Sequence, residues 1–333
     1  MMEQGFHPHF FLPPEQDPIV RRRERKNFSR IFISLCLYIL LATFLQNALT
    51  YGAATFFPAF YKSEAFLWVS YIVPSYLIAM PLIWLMLSAV PKKVPEKKRL
   101  SPREAILFFS ISYAFVYMGQ LISNYLSKVL KLVKGNEIHE PLQQYMENFS
   151  PLMILVVMVI LAPIFEELLF RKLIIDRLLP YSKRLAMVVS GLVFGIIHGN
   201  FQQFFYAFFV GIIFGYVYIK TGRLIYTILM HMIINFNGSF VVDSFRSLIN
   251  SESALSNSIN PWQLLSSLYN SGMFILVVAG MILFILNIKS FRMKENEEQG
   301  LPLKTQFELA FSNTGMILLL ILTGFTFITN ISI

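Results

Sequence analysis

Ionisable and amide side chains occur in this chain inside apolar stretches where water should be absent. PIFEELLFRK carries Glu166, Glu167 and Arg171, GLVFGIIHGN carries Phe194 and His198, and ILMHMIINFNG carries His231 and Asn235. A charged side chain at the bilayer centre costs roughly 2.5–3.5 kcal/mol on the insertion scale, so three unpaired ones would cost roughly 8–10 kcal/mol together. The spacing predicts how partners offset this. Glu167 and Arg171 stand at i and i+4 with the carboxylate first, the favourable order for a helical ion pair. Glu166 lies about 100° around the same helix and is left outside that pair. A carboxylate so placed suits a general base or acid, and His198 can share its water. His231 and Asn235, again at i and i+4, can aim at one spot from one helix face, where an imidazole N–H and a carboxamide stabilise a developing oxyanion. These parts suffice to hydrolyse an amide with an activated water and no covalent nucleophile.

Each residue alone has an ordinary explanation. A structural ion pair is the preferred role for Glu167 and Arg171. Phe194 reads as packing support in a chain with 33 Phe. Either histidine alone would be a satisfied core residue, Asn235 alone a bridge between helices, and Glu166 alone a headgroup-level carboxylate. Their co-occurrence on helices that can be neighbours tips the reading to function.

The elements that must position these residues follow from composition. Hydrophobic residues make up 56% and charged residues 14%, too apolar for soluble domains, which carry about a quarter charged residues. Apolar runs of about twenty residues match the hydrocarbon thickness. Nine candidate membrane helices lie near residues 30–51, 65–90, 104–128, 151–170, 185–200, 201–220, 223–242, 263–288 and 313–331. The fifth is short and runs into the sixth without a polar linker, and the ninth has the alternative of packing at the periphery. The fold class is therefore all-α, a polytopic bundle of about eight or nine membrane helices around a polar cavity. Residues 1–27 form a polar, proline-containing tail read as disordered and cytosolic, and 28–333 the helical domain, with its reactive core at about 150–240. The first apolar run is too long for a cleavable signal segment.

Charge sets the orientation. With the N-terminus inside, the inside loops hold 23 of the 28 Lys and Arg, all but Lys62, Lys128, Lys131, Lys134 and Arg246. That bias follows the positive-inside rule, so the net charge of +9 addresses lipid headgroups, and no nucleic-acid motif accompanies it. The expected setting is a bacterial plasma membrane with the N-terminus cytoplasmic. Cys36 is alone, which rules out an internal disulfide framework. His7 and His9 in the tail and His139 in an outside loop lack further ligands nearby.

Depth poses a geometric problem. At 1.5 Å per residue, Glu166 falls about 22 Å below the outer boundary and His198 about 20 Å above the inner one. In a ~30 Å core that leaves them roughly 10 Å apart in depth. Tilt, a displaced fifth helix, or a fourth helix continuing to about 179 would close the gap.

The three motifs, EExxxR at Glu166–Arg171, FxxxH at Phe194–His198 and HxxxN at His231–Asn235, resemble the CAAX-protease and bacteriocin-processing family of intramembrane glutamic endopeptidases. Order, spacing and membrane context agree over roughly residues 150–240. The resemblance implies a helical membrane fold around a cavity and the following roles. Glu166 activates water with the help of His198, His231 and Asn235 form the oxyanion hole, and Glu167 with Arg171 holds the site together. No cofactor or metal is implied, and the expected partners are a membrane-associated peptide or protein substrate and the bilayer. Other readings stay open. Glu166, His198 and His231 can offer three zinc ligands, although HExxH is absent. The same cavity can serve a non-enzymatic scaffold or immunity protein that binds a peptide. A proton-coupled transporter would also bury Glu and His, but the chain lacks the internal repeat expected of one.

Overall fold

The computed structural model describes residues 17–134, 148–253, 261–291, 293 and 302–332. Of the tail read as residues 1–27, residues 1–16, with His7 and His9, lie outside the described residues, as does His139, whereas residues 18–27 are helical and form the start of the first long helix, a correction to the disordered reading. Within them every regular element is helical. Eight helices are long and apolar enough to cross a membrane: α1 (Pro18–Phe56), α2 (Glu64–Ser88), α3 (Pro102–Lys134), α4 (Pro151–Leu178), α6 (Phe201–Thr221), α7 (Leu224–Val241), α8 (Pro261–Phe291) and α10 (Thr314–Ile331). Two shorter helices complete the described set used below, α5 (Lys183–Ile196) and α9 (Leu303–Phe311). The protein is an integral multi-pass membrane protein built as an all-α bundle.

The expected fifth crossing is corrected. Its 14 residues span about 21 Å, short of a ~30 Å hydrocarbon core. The helix stops because Gly199 adopts φ +66°, a left-handed conformation that suits glycine. Asn200 then caps α6 by accepting from Gln203 N at 2.9 Å. So α5 and α6 form a hairpin. It packs closely because glycines face each other: a Cβ on Gly211 would stand 2.9 Å from Gly191 Cα. Small residues let membrane helices approach in this way, where no water drives them together. The fourth crossing extends to Leu178, eight residues beyond the predicted end.

The loop ends that carry most of the basic residues gather at one end of the bundle. The Lys93 amide donates to Asp176 O at 2.7 Å, and the Lys98 amide to Thr221 O at 2.7 Å. The Leu100 amide donates to the Tyr226 hydroxyl at 3.2 Å. Arg21 pairs with Glu308 at 3.0 Å, and the Tyr181 hydroxyl donates to the Glu24 carboxylate at 2.5 Å. The segment after α2 is thus strapped across the ends of α4 and α6. At the periphery, α8 turns Leu268, Ile275, Ile285 and Leu286 outward, apolar surface suited to lipid tails.

Helix α3 rests directly on α6, and Gly119 makes this possible: a Cβ there would lie 2.4 Å from the Tyr206 backbone. Gly119→Leu is expected to lower the melting temperature in detergent, with a loss of at least about 1–3 kcal/mol from overpacking. Gly52→Leu, where a Cβ meets nothing within 4 Å, is the control and should melt like the parent.

Candidate active site

A cavity of about 320 Å³ opens between α3, α4, α5, α6 and α7. Glu166, His198, His231 and Asn235 all line it. The depth problem resolves through the longer α4 and the short α5, the two adjustments that would let Glu166 and His198 share one cavity. Glu167 and Arg171 stand behind its wall, both fully buried.

The chain of contacts begins at Arg171. Its Nε lies 3.0 Å from Glu167 Oε2, although the approach is too oblique to count as a hydrogen bond. Its Nη atoms find no hydrogen-bond acceptor among the described residues. Aromatic faces take their place. The guanidinium carbon lies 4.8 Å from the Phe194 ring centroid and 5.6 Å from that of Phe214, cation–π contacts that gain strength when desolvated. The other oxygen of Glu167 stands 3.0 Å from His231 Nδ1. Glu167 therefore serves two partners, a cation on its own helix and an imidazole on α7. This second contact was absent from the sequence reading, because nothing in the spacing of α4 shows which helix lies opposite.

The tautomers follow from the acceptors. A carbonyl can only accept, so the 2.7 Å contact between His198 Nδ1 and Phe194 O requires a proton on Nδ1 of His198. When the ring carries that proton alone, its Nε2 is left with a lone pair. A carboxylate likewise holds the Nδ1 proton of His231. The His231 Nε2 lies 3.7 Å from Glu166 Oε2 and can donate only when the ring carries both protons. The Glu166 side chain is 31% exposed, open to the cavity, whereas Glu167 is sealed. The Phe194 ring meets both imidazoles edge-on, at 5.2 Å from His198 and 5.8 Å from His231, so it spaces the two histidines as well as covering Arg171.

Asn235 is oriented by a defect in α4. Within Ile154–Leu161 the helix winds wider than an α-helix, in π form, where a carbonyl is served by the amide five residues on. For Met158 that residue is Pro163, which has no N–H. The Ala162 amide is already given to Val157 O. Met158 O is therefore left without a backbone donor, and Asn235 Nδ2 supplies one at 2.9 Å. One amide hydrogen of Asn235 is used in this way and the second remains for the cavity.

Five further polar side chains line the cavity and were missed from sequence: Tyr113, Gln120, Gln203, Tyr206 and Ser239. The Tyr206 hydroxyl accepts from Gln203 Nε2 at 3.1 Å, and that of Tyr113 accepts from Asn237 Nδ2. Each phenol keeps its own proton to donate. Their only signal was a polar position on an otherwise apolar helix, shared with many tyrosines of this chain. Among the described residues, no group of three or more His, Cys, Asp or Glu is placed to hold a metal ion. Of the donors considered for zinc, His231 gives its Nδ1 to Glu167, which leaves its Nε2 on the Glu166 side.

Removing one member of the buried pair should be costly. Arg171→Met leaves Glu167 as an uncompensated buried charge, and the expected loss is about 3–5 kcal/mol, read by unfolding in detergent. The Glu167→Gln/Arg171→Met double variant should recover most of it.

Residues 148–237 match the family described as type II CAAX prenyl endopeptidase Rce1-like. The chain is 35% identical over 95 residues to the putative membrane peptidase YdiL of Bacillus subtilis (strain 168), covering 28% of this chain and 36% of that protein. It is 29% identical over 157 residues to the membrane-embedded CAAX protease MroQ of Staphylococcus aureus (strain USA300), covering 43% of this chain and 62% of that protein. The chain thus spans between about a third and somewhat under two thirds of the length of these curated relatives. No solved structure matches.

Proposed function

For a chain whose residues 148–237 match the type II CAAX prenyl endopeptidase Rce1-like family, we propose intramembrane peptide-bond hydrolysis by a Glu166-activated water. The observation that carries this reading is that Glu166, His198, His231 and Asn235 line one cavity among bilayer helices. The substrate is a membrane-associated peptide or protein. The basic loop ends face the cytoplasm, by the positive-inside rule, and the membrane is a bacterial plasma membrane.

In this mechanism a water rests between Glu166 and the Nε2 lone pair of His198. Glu166 takes one proton as the water oxygen bonds to the scissile carbonyl carbon. The carbonyl oxygen becomes an oxyanion and accepts from the second amide hydrogen of Asn235 and, when the His231 ring carries both protons, from its Nε2–H. Glu166 then passes its proton to the leaving nitrogen as the C–N bond breaks, and the water oxygen stays in the new carboxyl group. Glu167 and Arg171 hold His231 in place without touching the reacting atoms.

The test is cleavage of a quenched-fluorescent peptide library by purified protein in detergent micelles. Glu166→Gln and His198→Ala should each slow turnover by about 10²–10⁴-fold. Asn235→Ala should slow it by about 10²–10³-fold, the scale of one oxyanion donor. Wild-type turnover in both Glu166→Gln and His198→Ala would overturn the mechanism. Loss of turnover on chelation, restored by stoichiometric zinc, would favour the zinc reading instead. Full cellular function of Glu166→Gln would favour a peptide-binding scaffold.

A further inference from the structure

The turn that carries His198 is held from outside the matched region. His198 O accepts from Asn200 Nδ2 at 2.8 Å, a contact within the turn itself. The next carbonyl, Gly199 O, accepts from Asn330 Nδ2 at 2.9 Å. Asn330 is on α10, well beyond residue 237 where the family match ends. One helical turn earlier, Thr326 closes over Gly199: a Cβ on that glycine would stand 2.6 Å from Thr326 Oγ1. Between them in sequence, the Phe327 ring packs against Phe201 at 4.8 Å and Phe204 at 5.9 Å. Three residues of α10 therefore grip the break between α5 and α6.

The position matters for chemistry. The His198 side chain takes its direction from its own backbone and from the Phe194 carbonyl on the preceding turn, and no other hydrogen bond to its ring is given by the described residues. The backbone at Gly199 is in a left-handed conformation, and a glycine loses more conformational freedom on being fixed than any other residue. Without Asn330 and Thr326, the Gly199 carbonyl would lose its donor and the turn its lid. The imidazole would then swing with the peptide plane that follows it. Helix α10 is anchored in turn: the Gly315 amide donates to Ser29 Oγ on α1 at 3.1 Å.

We infer that α10 is a working part of the site, with Asn330 as a positioning residue that sets the place of His198 through the Gly199 carbonyl. This rests on the proposed role of His198 in hydrolysis. The donor is what matters, so Asn330→Asp, of the same shape but without the N–H, should behave like Asn330→Ala, and Asn330→Gln should restore part of the effect. Ile321→Ala, on the exposed face of the same helix, is the control.

Two readouts test this. The first is the imidazole signal of His198 in histidine-labelled protein in micelles, identified by its loss in His198→Gln. It should move in Asn330→Asp and Asn330→Ala and stay in place in Ile321→Ala, with melting temperatures alike. The second is a double-mutant cycle on cleavage of the quenched-fluorescent peptide library. Asn330→Ala should lower kcat about tenfold with KM unchanged, and should add nothing in a His198→Ala background. An unmoved His198 signal in Asn330→Asp would overturn the inference, as would an equal loss of kcat in the His198→Ala background. If Glu166→Gln cleaves like wild type, the hydrolytic reading fails instead, and the His198 signal still decides whether Asn330 positions that ring.

Discussion

A positive charge buried among apolar helices, the guanidinium of Arg171, is the constraint on which the site depends. It is fully buried, so the protein must surround it with compensating groups. Glu167 supplies the counter-charge at 3.0 Å, and the rings of Phe194 and Phe214 supply the rest from α5 and α6. The carboxylate then has one oxygen left, which fixes His231 on α7. Four helices are thereby tied to one charge. A buried pair is a poor source of net stability, because desolvation offsets much of the attraction. Its role here is geometric, since its contacts join side chains of α4, α5, α6 and α7 at one point.

A missing proton does comparable work on the other side of the cavity. Pro163 deprives Met158 O of a donor, and Asn235 fills the vacancy. In lipid an unsatisfied carbonyl costs several kcal/mol, so the contact holds Asn235 firmly while leaving its second hydrogen for the cavity. The two anchors, one ionic and one backbone, reach α7 four residues apart, at His231 and Asn235. That is the spacing that turns both side chains to one face.

Much of this was legible beforehand. The apolar runs marked the eight crossings, with one run too many, because the bilayer imposes a length rule on any chain. The i,i+4 spacing gave the Glu167–Arg171 pair, a contact within one helix. What the sequence could not show was contact between helices. Glu167 reaching His231, Asn235 reaching Met158 O, and Tyr113 and Tyr206 entering the cavity all depend on which faces meet. The region read as a fifth crossing ends as a short helix because one glycine turns left-handed, a change that hydropathy does not register. The last crossing had the alternative of packing at the periphery, and its contact with Gly199 links two segments 131 residues apart.

The central claim is that the cavity holds a peptide carbonyl between its donors and a water. The most direct measurement is a structure of the Glu166→Gln protein with a bound peptide in a lipid nanodisc. The account predicts the scissile carbonyl oxygen within hydrogen-bond reach of Asn235 Nδ2 and His231 Nε2, with a water between residue 166 and His198 facing the carbonyl carbon. A peptide seated outside this cavity, or one whose carbonyl points away from both donors, would contradict it.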